Sequence, residues 1–151
     1  TRTHPDLTTL TFTQAEQEIE GSRSDLLALG ITPVVTFSYP TGAYNAQIKQ
    51  QVKDGGYIGA RSSDGGYNDK TTDRYALRRF SITNTTTLAQ MKAVVDTAVA
   101  NKTWVVLLFH EVNTSGNTYS ITPELFEEIV TYIKDQGITP ITLKQGLEMM
   151  P

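Results

Sequence analysis

Cysteine is absent from this 151-residue chain, which excludes disulfides and thiolate metal sites and leaves the redox compartment open. Tryptophan occurs once and histidine only twice, so imidazole chemistry is confined to His4 and His110. Basic charge is not in excess. With a formal net charge of -3 and both signs mixed along the length, the chain offers no basic stripe to a phosphate backbone, and nucleic acid is not an expected partner. No apolar run approaches the ~20 residues of a membrane span, and the first residues lack the charged-then-apolar pattern of a signal peptide. What remains is a length suited to one ordinary domain, able to hide roughly 70% of its unfolded surface.

The pattern along the chain alternates between helix and strand. Thr13-Gln14-Ala15-Glu16 has the capping-box form, and small or apolar residues recur at Ala15, Ile19, Ser22, Leu26 and Leu29 up to Gly30, one helical stripe and its stop. Pro33 to Phe37 is short, β-branched and apolar on both faces, as a buried strand should be. A second helix is predicted from about Asn45 to Asp54, closed by Gly55-Gly56, then an extended Tyr57 to Ala60. Arg61 to Arg74 is polar and rich in turn formers, which predicts a long loop. Further strands are expected over Tyr75 to Ile82, Trp104 to Phe109 and Ile138 to Thr142. Helices are expected after Thr87 and Thr122-Pro123 and at the C-terminus. Alternation of this kind means an α/β fold with parallel strands and outer helices. About five strands are too few to close a (β/α) barrel, so the sheet stays open or is completed by another segment.

Residues with chemical potential follow the strands: His4, then Tyr39 to Thr41, Arg61 and Asp64, and His110. In a parallel barrel those are the ends where active sites gather. His110 closes an apolar strand, where a buried imidazole needs a partner carboxylate or a cleft; otherwise it simply bonds the neighbouring loop. Asp64, Asp69 and Asp73 lack the alternating spacing of a calcium loop and read as turn formers, and Asp6 after Pro5 reads as a turn starter. Tyr44, Tyr57, Tyr67 and Tyr119 are suited to stacking on sugar rings or, more simply, to partial burial in the wall of the fold. Glu111 lines a cleft or is solvated.

Three segments together resemble the polysaccharide deacetylases, the NodB-homology carbohydrate esterases. Thr1-Arg2-Thr3-His4 matches the last four positions of the family's His-[Ser/Thr]-x-[Ser/Thr]-His motif. Ser38-Tyr39-Pro40-Thr41-Gly42 matches Arg-x-Pro-[Phe/Tyr]-Gly, and Leu108-Phe109-His110 matches its closing Leu-x-His. The resemblance covers nearly the whole chain. It implies a single domain over residues 1–151, truncated at its N-terminal side, with the fold of an incomplete NodB-type (β/α) barrel.

That resemblance further implies metal-dependent hydrolysis of N- or O-acetyl groups from a polysaccharide, at an extracellular or cell-envelope location. His4 is the implied ligand of a divalent metal, zinc or else cobalt or nickel, whose bound water loses its proton near neutral pH. The Thr41 amide stabilises the oxyanion, a role worth roughly 3 kcal/mol. By the same resemblance His110 is the implied general acid, Arg79 an orienting residue or else, like Arg78, an ordinary solvated charge, and Tyr39, Pro40 and Tyr44 the implied substrate contacts. The departures are specific: Ser38 replaces the arginine, Thr41 replaces the aromatic, and the aspartate motif has no counterpart here. They admit two other readings, an inactive carbohydrate-binding module, or a fragment that needs an upstream segment or a second copy to complete it.

Overall fold

The computed structural model describes residues 1–150. It is α/β. Among the described residues a four-stranded parallel sheet runs in the order β1-β2-β3-β4, from Thr36–Ser38, Gly59–Gly65, Leu77–Ser81 and Leu107–Leu108. A closed barrel of this class takes about eight such strands, so this is an incomplete (β/α) barrel. A separate parallel pair joins β5 (Glu111–Val112) to β6 (Ser120–Ile121). The helices are α1 Phe12–Ala28, α2 Ala46–Asp54, α3 Leu88–Asn101, α4 Pro123–Asp135 and α5 Leu143–Met149, and none is long and apolar enough to cross a membrane.

The chain divides into two compact units, the first of residues 1–64, 70–78 and the stretch from 143, the second of 65–69 and 79–142. In the first, α1 begins at Thr11, whose hydroxyl caps Gln14 while Gln14 reaches back to the Thr11 amide. The capping box thus lies two residues ahead of the Thr13 expected, because Gln serves at the third helical position as well as Glu. Ala15, Ile19 and Ser22 are buried as the stripe requires, whereas Leu26 and Leu29 are exposed. Asn45 caps α2 through the Ile48 amide, and Ile48 and Val52 face inward. Strand β1 pairs with β2 in parallel, Thr36 opposite Gly59, Phe37 opposite Ala60 and Ser38 opposite Arg61. The resulting core gathers Leu7, Ala15, Ile19, Phe37, Ile48, Val52, Tyr57 and Ala60. Gly59 is a requirement of this packing: a Cβ there would lie 2.4 Å from Leu147 of α5 and 2.7 Å from the Arg74 carbonyl.

In the second unit, β3 and β4 pair in parallel with Phe80 opposite Leu107 and Ser81 opposite Leu108. Thr87 caps α3 with Gln90, and Thr122 caps α4 ahead of Pro123. Ile82, Met91, Ile121 and Ile129 form its core, with Phe109 set edge-on to Phe126 at 5.1 Å.

Three expectations are corrected. Arg61 to Gly65 continue β2 instead of opening a loop, since Ser62 is fully buried and alternation persists to there. The Trp104–Phe109 run yields only Leu107–Leu108 as named strand, its start being taken by an antiparallel bridge from Trp104 to Asn68. Ile138 to Thr142 forms no strand: Gly137 turns the chain out of α4 at φ 69°, and Ile141 stays exposed.

One ion pair ties α2 to the β2–β3 connection, Lys49 Nζ to Asp73 Oδ2 at 2.6 Å. Burial alone raises the Asp73 pKa, but the bonds from Lys49 and the Tyr75 amide outweigh it and leave the carboxyl below its ordinary 3.8. Its contribution is therefore full above that ordinary value and is lost as pH falls through the lowered one. Both partners are half-exposed, so screening keeps the effect small. Asp73→Asn should lower the urea midpoint at about pH 7, by an amount that shrinks as pH is taken down through the acid range; chemical denaturation along a pH series checks this.

Candidate functional site

His4 is positioned by the anchoring of its chain neighbours. Arg2 crosses α1 over Gly21, where a Cβ would fall 2.5 Å from the guanidinium carbon, and donates to both carboxylate oxygens of Asp25 at 2.6 and 2.8 Å. A glycine inside a helix costs about 1 kcal/mol against alanine, and this crossing is what it permits. Thr3 donates its amide and hydroxyl to Glu18 at 2.9 and 2.7 Å. Burial pushes the Glu18 carboxyl up, yet the Thr3 bonds prevail and it titrates below its ordinary value. On the other side, Asp6 caps the 3-10 turn Leu7–Thr9, the turn-starting role read from its sequence position. Between these anchors His4 sits at φ 61° with an exposed side chain. Among the described residues no group of three or more His, Cys, Asp or Glu side chains could hold a metal ion. A catalytic zinc needs three protein ligands, so these residues alone do not fit one.

The segment after β1 is built differently from a plain turn. Tyr39 extends the β1–β2 ladder by donating its amide to the Arg61 carbonyl at 3.2 Å. A 3-10 turn over Pro40–Gly42 follows, in which Thr41 adopts φ 55° and Gly42 φ 85°. A β-branched residue in that region costs roughly 1–3 kcal/mol, and such strain gathers at functional sites. The turn's own bonds are donated by Gly42, to Tyr39, and by Ala43, to Pro40; the Thr41 amide takes no part in them. The Thr41 side chain is exposed and its hydroxyl donates to the Pro40 carbonyl at 2.6 Å. From β2, Ser63 donates to the Thr41 carbonyl at 3.4 Å and lies so close to Gly42 that a Cβ there would be 1.9 Å from its hydroxyl.

Around this turn stands a pair of stacked tyrosines, Tyr39 and Tyr44, with centroids 5.0 Å apart. Tyr39 and Pro40 are buried, Tyr39 at 3% exposure. The Tyr39 hydroxyl donates to the Tyr75 carbonyl at 2.8 Å, and burial pushes its pKa far up. It is a neutral core phenol that supports the half-buried Tyr44. Tyr44 in turn donates to Asp64 at 2.9 Å, as does Ser62 at 3.1 Å. Burial first, then that bond to Asp64, raises the Tyr44 pKa. Ser63 is not singled out by the sequence, and Asp64, though among the polar residues that follow a strand, reads there as a turn former. Alternation carried three residues past Arg61 was the signal that could have placed both on the strand.

In the second unit, His110 follows the core residue Phe109 and is exposed. Its neighbour is an aromatic ring: the imidazole lies 4.9 Å from Tyr119, tilted by 46°. Among the described residues no carboxylate bonds it, and an exposed imidazole suffers no unpaired burial. Glu111 instead accepts from three side chains of its own loop, those of Asn113, Ser115 and Asn117. Arg79 lies half-buried in β3, and its Nε is buried with no hydrogen-bond partner among the described residues.

The tightest geometric demand in the site is Gly42 against Ser63. Gly42→Ala should lower stability by roughly 1–3 kcal/mol. Ser63→Gly in the same chain should restore only part of this, since the positive φ remains; thermal or urea denaturation of the single and double variants checks it. Among known proteins, no curated sequence matches the chain. Residues 1–60 match the family model described as polysaccharide deacetylase, a stretch that ends before Arg79 and His110. Over those residues, which carry His4, the Thr41–Gly42 turn and Tyr44, the chain is similar to the polysaccharide deacetylases, the family its motifs implied.

Proposed function

We propose that the chain acts on acetylated polysaccharide, hydrolysing N- or O-acetyl groups. The observation that carries this reading is the strained turn inside the family-matched stretch. Thr41 is held left-handed, its amide outside the turn's own bonds, at the end of a parallel strand. An amide fixed in that way is a preorganised donor for the oxyanion that forms when an acetyl carbonyl is attacked. Tyr44, half-buried and tied to Asp64, is a wall for the sugar beside it. His110, exposed and bonded by no carboxylate among the described residues, can give a proton to a leaving amine or alkoxide. Arg79 contributes a fixed positive charge. His4 is the ligand we assign to a divalent ion, zinc before cobalt or nickel. The remaining ligands then come from outside the described residues, from an upstream segment or a second copy. A substrate of this class is met outside the cell or in the cell envelope, and the proposal takes that as the protein's location.

The lack of a three-ligand group among the described residues favours a second reading, a module that binds acetylated glycan without hydrolysing it. The two separate cleanly. Acetate release from glycol chitin and acetylated xylan is measured with zinc, cobalt or nickel added in turn, alongside polymer binding in a chelator. Hydrolysis predicts metal-dependent acetate release that His4→Ala abolishes and that His110→Ala lowers by roughly 10²–10⁴ in kcat with binding retained. Chelator-resistant binding without acetate would establish the module, and neither signal would sink both.

A further inference from the structure

The seven tyrosines differ in what their rings and hydroxyls are given to. Tyr39 and Tyr57 are buried. Tyr44, Tyr75 and Tyr132 donate their hydroxyls to protein acceptors, and Tyr67 stands edge-on to Phe80. Tyr119 alone is counted among the exposed large side chains, at 55% exposure, and its ring contact is with His110.

Its position is fixed from several directions. Tyr119 precedes β6, and its carbonyl accepts from the Glu111 amide at 3.2 Å, next to the β5–β6 pairing. The intervening loop is tied inward by the Glu111 carboxylate through Asn113, Ser115 and Asn117. It is tied outward by Asn84, whose side chain donates to the Gly116 carbonyl at 2.9 Å and whose amide donates to Thr118. An exposed aromatic on a loop with this many bonds is ordered before any ligand arrives, so little conformational freedom is lost on contact. An aromatic face is negative at its centre and apolar across its width. One face of a pyranose ring is a sheet of C–H groups, which suits an exposed aromatic platform with an imidazole beside it.

We propose that Tyr119 is a glycan-contacting residue, a platform on which one pyranose ring of the polysaccharide seats beside the His110 imidazole, with Glu111 as the positioning residue that holds the loop in place. This rests on the reading of the chain as acting on acetylated polysaccharide and deepens it by assigning a sugar subsite in the second unit, outside the family-matched stretch.

The test is binding, kept apart from acetate release. The full chain is titrated by calorimetry with N-acetylchitotetraose and with acetylated xylotetraose, as the parent, Tyr119→Phe and Tyr119→Ala. In parallel the C2 proton of His110 is followed by NMR, assigned by its loss in His110→Ala. The expected result is a Kd raised roughly tenfold by Tyr119→Ala and kept within about twofold by Tyr119→Phe, with the His110 signal moving on saturation. If the parent binds and Tyr119→Ala binds as well, or the His110 signal stays still, the subsite is wrong and the deacetylase reading stands untouched. If the parent binds neither oligosaccharide the subsite is also wrong, and acetate release from polymer decides the wider reading by itself.

Discussion

The register between β1 and β2 is the constraint from which the first unit follows. Phe37 opposite Ala60 places both side chains in the core, and a slip of one residue would send them to the opposite face. The same register brings Gly59 under Leu147 and sets Ser63, further along β2, against Gly42. Packing of α5 and closure of the turn after β1 are thus two results of one alignment. Neither tolerates a larger side chain at its glycine.

The turn after β1 is a local loss of stability set into a region that can absorb it. A left-handed threonine costs roughly 1–3 kcal/mol, comparable with what burying one large apolar side chain returns. Pro40 is buried on one side, Tyr39 is locked to Tyr75 beneath, and Ser63 closes from β2. Strain persists where the surroundings leave no alternative. The polar chemistry around it divides accordingly: Tyr39 is neutral and structural, while Tyr44 and Asp64 lie nearer the solvent.

The sequence was most legible where chemistry is local. Helices α2, α3 and α4 could be placed from Asn45, Thr87 and Thr122, because a cap is a contact between residues three apart. Strands were less legible, since their ends depend on which neighbour supplies a ladder: Trp104 is apolar enough for β4 but bonds to Asn68 instead. In the site, His4, Thr41 and His110 were visible as motif positions. Ser63 and Asp64 were not, since the partners that give them meaning, Gly42 and Tyr44, are some twenty residues away. Composition had labelled that stretch a loop. The surroundings of His110 were not legible for a related reason: a strand-end position does not tell burial from exposure, and here the imidazole is exposed.

Glu18 and Asp25 lie seven residues apart, two turns along one face of α1, and grip Thr3 and Arg2 respectively. Residues 2 and 3 are therefore laid along the helix like a strap, with Gly21 as the groove beneath it. The location of His4 is then measured out by the pitch of α1. A local unwinding in the middle of that helix would alter the spacing of the two carboxylates and shift residue 4 with them, which makes the helix a ruler for a residue that lies outside it.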